Sequence, residues 1–227
     1  GKRHLMLDAF APCDIHSAGD PDGDDACGRT AAPRAVTVIA CGALAREILA
    51  VKAANRLDHL RLACVPAALH NHPERIPEAV RAAIHAARAS GASEVVVAFG
   101  DCGTGGRLDR VLAEEGVARI AGPHCYAMFL EGFDGPEPAE DEDMTAFYLT
   151  DFLVRQFETL VIRPLGLDRH PELRDMYFGH YRSVVHLAQT DDPALDARAR
   201  AAADRLGLAY VRRATGMGAL TPFLRAL

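Results

Sequence analysis

No run of apolar residues in this 227-residue chain approaches the roughly 20 needed to cross a bilayer, so a spanning helix is not expected. Nor is there a cluster of lysine and arginine. The formal net charge is -6, and the basic residues are mostly arginines scattered along helical stretches, where they read as solvated faces. A nucleic-acid partner, which asks for a basic face, is therefore not expected. The start, Gly1-Lys2-Arg3-His4-Leu5-Met6-Leu7, has no long apolar core of a secretory signal. It also lacks an initiator methionine, as a processed start would. No Cys-x-x-Cys pair occurs among the six cysteines, which excludes a zinc-ribbon or ferredoxin-type local motif. Without a signal sequence those thiols are expected reduced, in a cytoplasm. Any metal site must gather its ligands from distant parts of the chain.

Apolar residues make up 49% and charged residues 25% of the sequence, ordinary for a soluble globular protein. Residues 1–34 are acidic and rich in Pro and Gly around Asp20-Pro21-Asp22-Gly23-Asp24-Asp25. They read as a flexible arm, and Cys13 and Cys27 within it as incidental. From Val36 onward, apolar strands alternate with helical runs. The fold expected is α/β, a mainly parallel sheet with helices on both faces built from Rossmann-like βα units. It forms a single domain over 35–227, with a helical insertion at about 133–180. Within that insertion, Phe147, Tyr148, Phe152, Leu153, Phe157 and Leu160 keep helical spacing. They predict a long helix over 145–161 whose stripe is core or a homodimer interface. The acidic stretch 133–143 reads as a surface excursion.

The glycine-rich turn Gly100-Asp101-Cys102-Gly103-Thr104-Gly105-Gly106 follows the apolar strand Val95-Val96-Val97-Ala98-Phe99. A cysteine there is badly placed for packing and well placed for chemistry. Glycines admit positive φ and close approach of a ligand, and successive N–H groups in such a turn can cradle an anion. On that ground Gly103, Thr104, Gly105 and Gly106 are candidate binding residues. The plan recurs. Val36-Thr37-Val38-Ile39-Ala40 ends in Cys41-Gly42, and Ile120-Ala121-Gly122-Pro123 leads to His124-Cys125. In an open parallel sheet, ligands gather outside the carboxyl ends of the strands. Cys41, Cys102 and Cys125 are thus candidate metal ligands: three thiolates leave one position open on Zn2+ or on a four-iron (4Fe-4S) cluster.

His70 and His124 are candidate fourth ligands or general acids, against a plain reading of each as a hydrogen-bonded turn residue. His72 reads as a helix-approach residue, and His85 and His186 as structural. Cys64, inside an apolar run, reads as a packed core thiol. Glu47, six residues past Cys41, either faces the site one turn into the first helix or lies on a solvated face, the second being favoured, and Asp192 reads as an N-cap. Asp151 and Tyr148 fall on the predicted long helix, where nothing requires a role in a pocket. A metal-free alternative is Cys102 as nucleophile with His124 or His70 as its base. That reading leaves Cys41 and Cys125 unexplained.

As a set, four segments resemble a bacterial and archaeal family, domain of unknown function 1638. They are Ile39-Ala40-Cys41-Gly42-Ala43-Leu44-Ala45-Arg46-Glu47, Leu69-His70-Asn71-His72-Pro73-Glu74, the turn 100–106, and Gly122-Pro123-His124-Cys125-Tyr126. The similarity covers about 36–224. The resemblance implies an association with methylamine or other one-carbon metabolism and with corrinoid-dependent methyl transfer, and no defined activity. Three functions are open at this point. One is a metal-dependent lyase or transferase acting on a small polar molecule. Another is an accessory protein carrying a cofactor for a methyltransferase or corrinoid protein partner. The third is the metal-free cysteine enzyme.

Overall fold

The computed structural model describes residues 35–133 and 142–227. The acidic arm and most of the acidic excursion, with Cys13 and Cys27, lie outside the described residues. Among the described residues there are six strands: β1 Val36–Cys41, β2 Leu60–Val65, β3 Glu94–Ala98, β4 Ala146–Thr150, β5 Ser183–Ala188 and β6 Ala209–Ala214. The helices are α1 Ala45–Asn55, α2 Ile76–Ala89, α3 Arg107–Glu115, α4 Cys125–Leu130, the single turn α5 Glu142–Thr145, α6 Asp151–Arg155, α7 Arg174–Phe178, α8 Pro193–Leu206 and α9 Leu220–Arg225. No helix among the described residues is long and apolar enough to cross a membrane.

The parallel α/β architecture expected from the alternating pattern is present, but as two sheets rather than one. The first has order β2-β1-β3, the second β4-β5-β6, and every pairing is parallel. The central strands β1 and β5 are buried along nearly their whole length, as a strand covered on both faces must be. After β3 the chain adds one more parallel bridge to the first sheet, Val97 with Arg119.

The predicted long helix over 145–161 is not there. Its first part is β4, followed by the short α6 and one turn of π-helix at Glu158–Ile162, so the helical insertion expected at 133–180 contains a sheet strand. Ala146-Phe147-Tyr148-Leu149-Thr150 is aromatic and β-branched, and these residues favour a pleated surface. Thr150 then stops the strand and caps α6, its Oγ1 accepting from the Leu153 N–H at 3.3 Å. Helical spacing of aromatics was satisfied by accident across a strand–helix junction. The apolar stripe is nevertheless core. Phe147 meets Phe178 edge-on at 5.1 Å, and Leu149, Val154 and Phe157 share a cluster with α8.

The halves exchange elements. On one face of the first sheet lie α2 and α3, packed through Ile76, Val80, Ile84, Leu108 and Leu112. On the other lie α1 and, from the far end of the chain, Leu220 and Leu224 of α9. In return, α4 sends Met128 and Phe129 into that same core and presses Tyr126 and Leu130 against Ala146, Val185 and Leu187 of the second sheet. The Ala219 N–H donates to the Met128 carbonyl at 2.8 Å across this seam. A second contact joins the halves, because α6 packs on the turn Gly42–Leu44 that leaves β1. The carboxyl ends of β1 and β4 are therefore neighbours.

Candidate functional site

Cys41 closes β1, and Cys102 lies four residues beyond the end of the adjacent β3. Sheet pairing alone therefore brings these two thiols to the same rim. Cys125 reaches it by a different route. The loop 100–106 is pinned to the loop before α4: the Cys102 N–H donates to the Pro123 carbonyl at 2.8 Å and the Asp101 N–H to Gly122 at 3.4 Å. Gly100 is the wedge that allows this, since a Cβ there would lie 2.6 Å from the His124 Cα. Cys102 itself takes φ +48°, a left-handed conformation unusual outside glycine.

Arg119 fastens the assembly from behind. Its guanidinium grips Asp109 through two contacts of 2.6 and 3.1 Å. It also donates to the carbonyls of Phe99, Ile120 and Gly122 at 3.4, 2.9 and 3.0 Å. One planar fork thereby ties the end of β3 to the segment carrying His124 and Cys125. Nothing about an isolated arginine in the sequence signals this.

The three thiols share one neighbourhood. Each is shifted above its ordinary pKa, first of all by burial. The Cys41 thiol is pushed up to about 12, with Cys102 and Cys64 adding to the effect of burial. Cys125 is pushed up further, and Cys102 and Cys41 contribute there too. Cys102 rises as well, opposed by backbone N–H groups of Cys125 and Gly100 directed at its sulfur. The Ala43 N–H is similarly directed at Cys41, and the Tyr126 N–H at Cys125. Cys41 and Cys102 pack with the layer of α2 and α3, and Cys125 with that of α1 and α9. They approach one another over the strand ends from both sides of the sheet. Among the described residues no three His, Cys, Asp or Glu side chains close on a common point in ligating geometry.

The other candidates fare unevenly. The N–H groups of Gly105 and Gly106 donate to the Asp101 carboxylate at 3.1 and 2.9 Å, and the Thr104 hydroxyl donates to it as well. These donors serve the loop's own carboxylate, so the turn reads as a self-capped device for holding Cys102 and not as an anion cradle. Gly103 stands over Pro73, and Thr104 is buried. His70 lies in the turn Ala67–Asn71, exposed at the surface, with its basicity lowered by partial desolvation. The His124 ring stacks on Tyr126 at 3.4 Å, and Tyr126 on Tyr148 at 5.0 Å. This three-ring stack runs from the thiol loop to β4. It walls a cleft of about 500 Å³ lined also by Pro123, Ala127, Leu130 and Glu131.

Two expectations are overturned. Cys64 is exposed, not a core thiol, because β2 is an edge strand. Glu47 is not solvated but only 4% exposed, because α6 covers that side of α1 at the junction of the two sheets.

Beside Glu47 lies a buried polar network that the sequence pattern did not assign to a site. Asp151 opens α6 and is fully buried. One carboxylate oxygen accepts from His186 Nε2 at 2.9 Å. The other accepts from the Thr190 N–H at 3.1 Å and its hydroxyl at 2.6 Å. Burial would raise the Asp151 pKa, but these hydrogen bonds outweigh it and hold the carboxyl below its ordinary value. On the far side, His186 Nδ1 meets the Tyr210 hydroxyl at 3.1 Å, and that hydroxyl donates to Asp196 at 2.6 Å. The imidazole thus bridges the Asp151 carboxylate and the Tyr210 hydroxyl, one through each ring nitrogen. The signal was present in the sequence: a histidine in the middle of Val184-Val185-His186-Leu187-Ala188 must be buried, and a buried imidazole needs partners.

A parallel α/β protein with a thiol-bearing rim is thus defined. The chain belongs to the family described as "Protein of unknown function (DUF1638)", which matches residues 64–224. The match takes in His70, Cys102, His124 and Cys125. It begins after β1 and Cys41, later than the resemblance over 36–224 suggested. No curated protein and no solved structure matches the chain.

Proposed function

We propose that this protein is a metal-dependent enzyme that binds Zn2+ or a 4Fe-4S cluster through Cys41, Cys102 and Cys125 and acts on a small polar molecule at the position left open. The observation that carries the reading is the construction of the rim. A strained Cys102 is locked by Gly100, Arg119 and the Pro123 carbonyl onto the segment carrying Cys125, with Cys41 on the adjoining strand. Left-handed backbone at a non-glycine residue persists only where its surroundings hold it. Backbone N–H groups directed at sulfur favour thiolates carrying the charge of a metal or cluster.

The residues present fit such a group in chemistry. Three soft sulfur donors suit zinc or iron–sulfur, and a bound metal deprotonates thiols that burial keeps neutral. When bound, the group would act as a Lewis acid toward substrate at its fourth position. The chain's own part is to hold the sulfurs, to seal their inner side with Phe99 and Met128, and to offer the cleft walled by His124, Tyr126 and Tyr148 as an approach. His124 caps α4 next to Cys125, where its ring can hold or pass a proton at a substrate in that cleft. The metal-free nucleophile fits less well. A nucleophilic cysteine has a lowered pKa, and burial drives all three the other way. A role in one-carbon metabolism or beside a corrinoid methyltransferase rests on the family resemblance alone.

Protein purified without oxygen, then assayed for zinc, iron and acid-labile sulfide, tests this reading. We expect either about one zinc per chain and no colour, or iron and sulfide in equal amounts with a broad visible absorption. A metal-free protein that turns over substrate would overturn it.

A further inference from the structure

The cleft beside His124 has a wall whose chemistry is set by how its rings are turned. His124, Tyr126 and Tyr148 stack with interplanar angles of 18° and 14°. Tyr126 is the middle ring, so its two faces are covered by its neighbours. A cleft that touches all three rings therefore runs along the side of the stack and meets their edges. Aromatic edges carry the positive part of the ring quadrupole, and they pair best with the negative face of another ring set across them. With centroids 3.4 and 5.0 Å apart along the stack, a single ring covers two edges, and a fused pair of rings covers all three.

The rest of the lining narrows the ligand further. Pro123, Ala127 and Leu130 are apolar. Among the described residues that line the cleft, Glu131 is the one carboxylate and none is a lysine or arginine. The sequence from 120 to 154, which supplies every one of them, contains no lysine or arginine at all. Arg213 is placed over the Phe133 ring at 6.0 Å and is not part of the lining. A phosphate or carboxylate substituent would thus lose water without a fixed cation to meet it. Glu131, exposed at the surface, accepts hydrogen bonds and suits a ligand N–H. The volume of about 500 Å³ is ordinary for a small-molecule site.

We propose that this cleft binds a fused-ring nitrogen heteroaromatic, uncharged and without phosphate, which lies across the edges of His124, Tyr126 and Tyr148 with an N–H directed at Glu131. His124 is followed directly by Cys125, so the ring over His124 is the part of the ligand held beside the thiol rim. As the substrate of the three-cysteine centre such a molecule rests on the reading above; as a ligand of the cleft it does not.

Calorimetric titration of the intact protein with adenine, quinoline, imidazole, decahydroquinoline and AMP tests it. Adenine and quinoline should bind. Imidazole, a single ring, and decahydroquinoline, saturated and positively charged, should each bind at least about tenfold more weakly than quinoline. AMP should bind more weakly than adenine. Y148L removes one ring edge and should weaken both fused-ring ligands about three- to tenfold, whereas Y148F keeps the edge and should stay within about twofold of wild type. E131A should weaken adenine by about the same factor as Y148L and leave quinoline, which has no N–H, unchanged. Glu131 is exposed, so E131A decides the matter should Y148L fail to fold. If neither adenine nor quinoline bound, the site would be overturned. Imidazole or decahydroquinoline matching quinoline would overturn the edge-to-face assignment, and AMP binding more tightly than adenine would overturn the uncharged one. Binding indifferent to both Y148L and E131A would put the ligand elsewhere and overturn the proposal as well. None of these titrations depends on metal content, which is assayed on the same samples, so failure here is separable from failure of the three-cysteine reading.

Discussion

At the scale of single residues, burial decides which side chains matter. Asp151 and His186 are almost wholly enclosed, and removing one partner of such a pair leaves the other buried without its hydrogen bond. D151A should therefore cost about 3–5 kcal/mol and lower the melting temperature by roughly 10 °C, read by thermal denaturation. D151N tests the pH linkage. The folded-state pKa of Asp151 is depressed, so its contribution is fully present above the unfolded value of about 3.9 and disappears as pH falls through the lower, folded one. The stability gap between wild type and D151N should be widest near neutrality and close in acid. Titration with urea at several pH values measures it; a gap that widened in acid would mean the carboxyl is not ionised in the native state.

The residues of the rim were only partly legible beforehand. Cys41 and Cys102 could be read because each stands where an apolar strand gives way to glycine, and strand ends in parallel sheets share an edge. Asp151 and Glu47 could not. Their importance comes from α6 folding over α1, a contact between segments about a hundred residues apart that no local pattern encodes. Arg119 is invisible for the same reason: its acceptors, two carboxylate oxygens and three carbonyls, are assembled only by the fold.

At the scale of elements, the loop 100–106 is the piece on which the thiol geometry turns. G100A would drive a methyl group into the backbone of His124, a contact the backbone cannot relieve by a rotamer change. The two loops must part, and Cys102 with them. We expect G100A to stay folded, with a melting temperature lowered by several degrees, and to lose most metal binding; metal analysis beside a melting curve checks both. G105A is the comparison. Its φ of +62° carries backbone strain, but a Cβ there meets nothing within 4 Å, so metal should be retained. The elements also show where reading by period fails. The strand–helix junction at 146–155 imitates one amphipathic helix because alternating aromatics in a strand and apolar residues in the following turn happen to fall at helical intervals. Thr150 and Asp151, a cap followed by an acidic first turn, were the cue that a new helix begins there.

At the scale of the molecule, the two sheets are interlocked by exchange, α9 onto the first and α4 against the second. This exchange sets the rims of β1 and β4 side by side. The alternation of strands and helices revealed the α/β class and the parallel pairing. It did not reveal two sheets, since that depends on whether β3 and β4 pair with each other, which the sequence between them leaves open. The consequence for function is that thiols from both layers of the first sheet and a charged cluster from the second face a common junction. The central claim is that Cys41, Cys102 and Cys125 serve one metal. The most direct test is metal stoichiometry in C41S, C102S and C125S, prepared without oxygen, with C64S as the control thiol nearby. Each of the three should lose metal affinity by at least about tenfold while C64S matches wild type. Retention of wild-type metal by any one of the three, or an equal loss in C64S, would contradict the claim.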